Sequence, residues 1–306
     1  MNQLLNLLLV AIALVAVVLS GPVIAYAFLN KRKKAARARR RSPVGIDLLR
    51  APGHTLREQT TELSESTMAE VVMLIAGPLI LLTVLLAAAY VTGVQRPVRD
   101  VVLFLVIDIA FTAWMVRRLW NIGNRMDTLH AGYDAEVAVG QALDKLMREG
   151  AAVYHDFPCD GFNIDHVVIS TCGVYAVETK GYSKPPKGSG RGAVRVEYDG
   201  TMLKFPGWTS TGPIEQAKRQ AEWLSKWVNR ATAISTHVHP ILALPGWFIE
   251  RNGRADVSVF SGGELPNLLH TPSSQSLSIE EISRIAYQVE QRCRTVAPRL
   301  SEGGAK

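Results

Sequence analysis

Hydrophobic patterning divides the chain into two parts. Leu4 to Leu29 is apolar almost without a break, Val71 to Val94 is a second apolar run interrupted by Gly77-Pro78 and small residues, and Val101 to Val116 is a third. About 20 apolar residues suffice to cross a bilayer. The third run is short, but it extends through Arg117 and Arg118 if their stems snorkel to the interface. The pattern therefore predicts about three transmembrane α-helices, over residues 1–30 and 68–118, with a linker at 31–67. Beyond Arg118 the period changes. Ile164–Ile169 and Val174–Lys180 read as two strands around the turn Ser-Thr-Cys-Gly, and Ala217, Ala221, Leu224 and Val228 recur at helical spacing. Ile241–Leu244 and Val257–Phe260 read as strands around the turn-like ERNGRAD, and Ile279–Cys293 as a helix. Residues 130–270 thus suit one α/β core, and 271–306 a C-terminal helix and a disordered tail.

Charge sharpens the membrane reading. The chain carries 34 Lys and Arg against 27 Asp and Glu, yet Lys31 to Arg41 alone holds eight basic residues and no acid. The high pI belongs to that run, which suits topology and attraction to anionic lipid headgroups; non-specific phosphate contact with nucleic acid is the weaker alternative. Ten Lys or Arg lie between the first and second apolar runs, whereas Arg96 and Arg99 alone connect the second and third. The positive-inside rule then places the linker and the C-terminal domain in the cytoplasm, as part of a multi-pass protein of the cell membrane. Ala25-Tyr26-Ala27 resembles a signal cleavage site, but the basic residues follow the apolar run instead of leading it, which favours an uncleaved anchor. Asp108 interrupts the third run. It suits a packed polar contact in a homo-oligomer formed through the transmembrane helices, or a protonated acid. A transporter is disfavoured, because these runs offer no second charge for a substrate path.

The chemistry concentrates at residues 163–180, NIDHVVISTCGVYAVETK. A hairpin symmetric about the Thr171–Cys172 bond pairs residues whose numbers sum to 343, which sets Asp165 opposite Glu178. Like charges so placed repel, so a cation or a proton is needed to hold them. Alternation puts Lys180 on the face of Glu178 and turns Thr179 away. Two hard oxygen ligands beside an ammonium suit Mg²⁺-assisted phosphodiester cleavage. The competing reading is a solvated strand end, since D…ExK is a short pattern.

Four blocks extend the pattern. Gly132-Tyr133-Asp134-Ala135-Glu136 leads into Val137, Val139 and Leu143; Val153-Tyr154-His155-Asp156 follows; then come the hairpin and Pro213-Ile214-Glu215-Gln216. From Gly132 to Pro245 the chain resembles the nuclease-related domain (NERD) family, similar to restriction-endonuclease-like PD-(D/E)xK nucleases. The resemblance implies a core sheet flanked by helices. It also implies a catalytic set of Glu136, Asp165, Glu178, Lys180 and Gln216, with Asp165, Glu178 and Glu136 binding Mg²⁺ or Mn²⁺. The Gly-X-X-Gly-Glu opening often seen in the family has Ala135 at its second glycine here. Gln216 is expected in the first turn of a helix, where a phosphate can dock, although a surface or capping role fits it equally.

The remaining signals are weaker. Lys184, Lys187 and Arg191 lie on a Gly/Pro-rich loop that suits nucleic-acid binding or a solvated connection. Trp208, Trp223 and Trp227 suit base stacking less well than a core. His155 and His166 read as hydrogen-bonded strand residues, and His237-Val-His239 lacks partner ligands nearby. Cys159, Cys172 and Cys293 have no zinc spacing and fit a reducing compartment. The sequence therefore predicts a membrane-anchored, cytoplasm-facing, metal-dependent nuclease acting on DNA or RNA. The alternative is a catalytically silent module that binds nucleic acid or a protein at the membrane.

Overall fold

The structure is a computed structural model that describes residues 44–92, 98–186, 194–253, 255–265, 267 and 276–298, with scattered positions between 21 and 35. The first expected span, most of the basic run, Lys187, Arg191 and the tail at 301–306 lie outside the described residues. In chain order the elements are β1 (Leu48–Leu49), α1 (His54–Thr92), α2 (Val98–Leu143), β2 (Ala152–Pro158), β3 (Asn163–Ser170) and β4 (Gly173–Thr179). There follow β5 (Arg195–Tyr198), β6 (Leu203–Phe205), β7 (Trp208–Ser210), α3 (Gly212–Thr232), β8 (Val238–Ala243), β9 (Phe248–Arg251), β10 (Ser258–Phe260), α4 (Ile279–Cys293) and β11 (Arg294–Val296). A short 3₁₀ helix, Asp144–Glu149, joins α2 to β2.

Two compact units result, one holding Thr61–Asp127 and the other Ile46–Thr60 with Thr128–Pro298. In the first, α1 and α2 run antiparallel. Arg118 pairs with Glu70, and Gly77 leaves room for the ring of Phe111, so both contacts share one register. Apolar side chains such as Val72, Ile75, Leu79, Leu103 and Ile109 stand exposed.

Among the described residues a single stretch, His54–Leu85, is long and apolar enough to cross a membrane, instead of the two expected over 68–118. The reason lies in α2. Any stretch of about 18 residues laid over Val101–Val116 includes Asp108 and at least two of Arg99, Asp100, Arg117 and Arg118. The expected linker at 31–67 also changes character. Its Ile46–Thr60 part belongs to the second unit, and α1 begins within it at His54.

The second unit is a mixed α/β fold. Its main sheet has five strands in the order β10-β8-β4-β3-β2. β2, β3 and β4 pair antiparallel, and β8 and β10 continue the sheet in parallel. A parallel β4–β8 pair requires a crossover, which β5, β6, β7 and α3 supply; β9, which follows β8, joins the first three as the sheet β7-β6-β5-β9. One face of the main sheet packs Val167, Ile169, Val174 and Ala176 against Leu224 and Val228 of α3 and Ile285 and Val289 of α4. The other face packs Val168, Tyr175 and Val177 against Val139 and Leu143 of α2. This two-sided burial explains why β3 and β4 read as nearly continuous apolar runs.

Local signals fix the helix ends. Pro213 sits in the first turn of α3, and Ala233, left-handed at φ 58°, closes the helix by donating to the Asn229 carbonyl. Ser278 and Glu281 form a reciprocal capping box at α4. The stretch Gly132–Glu136 is not a loop but part of the continuous helix α2. Ala135 suits that position. Gly181 passes so close that any side chain there would meet the Ala131 carbonyl and the Ala135 Cβ, leaving no space for bulk on either side.

Candidate functional site

The hairpin register matches the sequence expectation. His166 pairs with Val177, Val167 with Ala176 and Ser170 with Gly173, each summing to 343. Asp165 and Glu178 are the next positions in that register. There the ladder stops, and Asp165 Oδ2 instead accepts the backbone N–H of Thr179 at 2.6 Å. Lys180 prolongs the other edge by donating its backbone N–H to the Ala243 carbonyl at 3.0 Å. Its ammonium lies 2.6 Å from Glu178 Oε1. The second oxygen of Glu178 accepts from Gln220 Nε2, also at 2.6 Å, and that amide reaches the Asn163 carbonyl at 3.3 Å. Glu178 is 2% exposed, so both its oxygens are committed to partners inside the protein.

Gln220 is the residue that sequence reasoning missed. α3 starts at Gly212, which carries Gln216 past the first turn; the side chain that meets Glu178 belongs to the residue one turn later. The signal was present. Gln220 follows Ala217 by three positions and precedes Leu224 by four, so a polar residue sits on the apolar face.

Glu136 reaches the site from α2 and is 6% exposed. The Gly53 N–H donates to it, while its Oε2 is buried without a hydrogen-bond partner among the described residues. Burial, Asp156 and Glu178 together push its pKa up to about 8. Burial, then Glu178, then Glu136 raise Asp165 well above the usual carboxylate range. Burial alone would lower the Lys180 pKa, but Glu178 and its hydrogen bond, with Asp165, overcome it and raise the value. The three acids and the lysine thus sense one another electrostatically.

Behind Glu136 stands a carboxylate that the sequence did not single out. Asp156 adopts φ 49° inside β2 and is wholly buried. Its Oδ2 accepts from Arg50 Nη1 and Thr55 Oγ1, each at 2.8 Å, and its Oδ1 from Asn163 Nδ2 at 2.6 Å. Arg50 and Thr55 flank Gly53, whose φ of 69° and close approach to the Tyr133 ring suit glycine alone. One short segment, Arg50–Thr55 at the start of α1, therefore secures both Asp156 and Glu136.

The other candidates fall outside this cluster. His155 and His166 face each other Nδ1 to Nδ1 at 2.9 Å, and His155 Nε2 lies 3.0 Å from Asp144. Burial lowers the pKa of both, so they are neutral hydrogen-bonding strand residues near pH 7. Trp223 and Trp227 pack edge-on against Phe157 under the Arg292 guanidinium, and Trp208 stacks on Phe205. The Lys184 side chain lies over Gly246.

The family model of the nuclease-related domain (NERD) matches residues 131–245. No curated protein and no solved structure matches the chain. The matched stretch contains Glu136, Asp156, Asp165, Glu178, Lys180 and Gln220, but not Arg50, Gly53 or Thr55.

Proposed function

We propose that the nuclease-related domain hydrolyses phosphodiester bonds of DNA or RNA at Asp165, Glu178, Lys180 and Glu136, with Mg²⁺ or Mn²⁺ as cofactor. The observation that carries this reading is three mutually repelling buried carboxylates beside one ammonium. Such a set weakens a fold unless a proton or cation is held there, and strongly perturbed acids of this kind concentrate at catalytic sites. The residues fit a hard cation in chemistry. All are oxygen donors, and one buried oxygen of Glu136 lacks a partner. Among the described residues no three His, Cys, Asp or Glu side chains converge into a closed metal cage. The fit is therefore to an ion held by one or two carboxylates that keeps several waters, the usual habit of Mg²⁺.

Asp165 and Glu178 would hold the ion, with Glu136 joining through water. When bound, it supplies charge stabilisation and a water of lowered pKa. Thr179 and Gln220 fix the two carboxylates in place, so neither need reorganise during reaction. Lys180 stays protonated beside Glu178 and can donate to an attacking water or to a phosphate oxygen as negative charge develops. A second reading, a silent binding module, is favoured by one fact: Lys180 already neutralises Glu178 without any added ion. Incubating the detergent-solubilised full chain with single- and double-stranded DNA and RNA, in Mg²⁺, Mn²⁺ or EDTA, separates the two. Metal-dependent cleavage lost in Asp165→Ala and Lys180→Ala supports the enzyme; no cleavage, or cleavage surviving both changes, rules the site out.

The proposal extends to a place in the cell membrane, with the domain in the cytoplasm. His54–Leu85 has the required length and apolarity, and the exposed apolar side chains of α1 and α2 suit lipid. Ile46–Thr60 precedes the apolar run that starts at Val71 and Thr128–Pro298 follows it, yet both belong to one unit. A chain that leaves along α1 must therefore return along α2 despite its charges, giving a two-pass hairpin. The basic residues before α1 favour the cytoplasmic side for that unit. Among the described residues Asp108 Oδ1 is buried without a hydrogen-bond partner; because it is already enclosed within one chain, a second copy would reach it only if α1 and α2 repack.

A further inference from the structure

We infer that the α1–α2 hairpin carries a binding groove for the phosphate of an anionic lipid headgroup, separate from the nuclease site. The groove, about 520 Å³, is lined by Leu63, Ser66 and Glu70 of α1 and by Trp114, Arg117, Arg118, Asn121, Ile122 and Arg125 of α2. Three guanidinium groups, a hydroxyl and an amide face it, and Glu70 is its one acidic lining residue. That acid is engaged. Arg118 pairs with Glu70 at 2.5 Å and lies 5.6 Å over the Trp114 ring, which holds its planar fork in one orientation. Arg117 and Arg125 supply the charge beyond that neutral pair, and arginine recognises phosphate through paired N–H donors.

Position identifies the ligand as a lipid. The apolar run of α1 begins at Val71, directly after Glu70, and that of α2 ends at Val116, directly before Arg117. Because Glu70 and Arg118 touch, both helices leave their apolar stretch at one level. Arg117, Arg118 and Asn121 then lie within about 8 Å of that boundary at ~1.5 Å per residue, and the headgroup layer of one leaflet is about 5–8 Å thick. Helical side chains tilt toward the N-terminus, so those of α2, Arg125 included, reach back toward the apolar run. Trp114 sits where interfacial tryptophans gather. A nucleic-acid phosphate would share the chemistry but not this depth.

The inference rests on the membrane placement proposed above, and flotation separates the two. The full chain is reconstituted into vesicles of phosphatidylcholine alone, and its floating with them tests the placement; absence from the vesicle fraction overturns placement and groove together. The groove is tested in detergent by titrating short-chain phosphatidylglycerol, short-chain phosphatidylcholine or inorganic phosphate while following the thermal midpoint. Phosphatidylglycerol should raise the midpoint saturably and phosphatidylcholine should not; inorganic phosphate acting equally well would reassign the site to free phosphate and overturn the lipid. Arg117→Gln and Arg125→Gln should each weaken the phosphatidylglycerol effect about fivefold, the loss expected for one basic residue at an anionic surface. Both side chains are exposed, so the lipid-free midpoint should hold. Arg148→Gln, in the 3₁₀ helix, serves as control. Equal weakening by all three changes, or by none, refutes the groove.

Discussion

Replacing Glu136 by glutamine should stabilise the protein, and do so increasingly as pH rises. The folded protein holds the Glu136 proton up to about pH 8, whereas the ordinary value is 4.5. Between those values the folded state binds more protons than the unfolded state, so stability falls with rising pH. Linkage over that shift gives a loss of about 3 kcal/mol from pH 5 to pH 8, at 1.36 kcal/mol per pH unit. Relaxation and water entry around a carboxylate that is 6% exposed reduce this to about 2–3 kcal/mol. Glutamine keeps an oxygen for the Gly53 N–H and loses the charge that Asp156 and Glu178 repel. For a folding unit of this size, each kcal/mol moves the thermal midpoint by roughly 2–4 °C. Glu136→Gln should therefore melt near the wild type at pH 5 and about 5–10 °C above it at pH 8, in EDTA, by scanning calorimetry of the full chain. Adding Mg²⁺ should narrow the gap at pH 8 by stabilising the wild type more. Parallel midpoints across the pH range, or a variant that melts lower at pH 8, would refute the reasoning.

Two further outcomes test the supports of the site. Arg50→Met leaves the buried Asp156 charge with only Thr55 and Asn163, and should cost about 2–4 kcal/mol in a urea titration; adding Asp156→Asn to it should recover more than half. Gln220→Met removes a donor from Glu178 and from the Asn163 carbonyl, so kcat should fall at least tenfold while KM for nucleic acid stays within twofold, with about 1–2 kcal/mol of stability lost.

How far the site could be read from the chain depends on how local each contact is. The hairpin register follows from two apolar strands around one glycine-ended turn, where a one-residue slip would turn every side chain to the wrong face. Asp165, Glu178 and Lys180 were legible for that reason. Gln220 was missed because a motif placed in the first turn drew attention to Gln216, although the buried stripe of α3 contained the better candidate. Arg50 and Thr55 left no such trace, since Asp156 lies 106 and 101 positions away from them. The small sheet β7-β6-β5-β9 was also unread. Its strands are three or four residues long, and its clearest mark is the turn in which Asp199 Oδ1 accepts from the N–H groups of Thr201 and Met202. The expected span over Val101–Val116 falls short of the length and apolarity of His54–Leu85 for a different reason, because apolar length was weighed without the charges that bracket it.

The segment that secures Asp156 and Glu136 also sets an order of events. Arg50 leaves the ribosome 106 residues ahead of Asp156, about 5–20 s at typical synthesis rates. The strand that pairs with Leu48, Arg294–Val296, comes later still, since Arg50 and its partner Thr295 are 245 positions apart. Between the two halves of the folding unit run α1 and α2, whose exposed apolar side chains favour aggregation for as long as they stay uncovered. With the membrane placement proposed above, insertion comes first, and the inserted hairpin brings Gly53 and Arg50 back to the chain that follows. On this schedule Glu136 gains its backbone donor, and the site its final charge balance, after the anchor is in place. Under that placement a chain that fails to insert would carry the candidate site residues without the segment that arranges them, so that formation of the site waits on insertion.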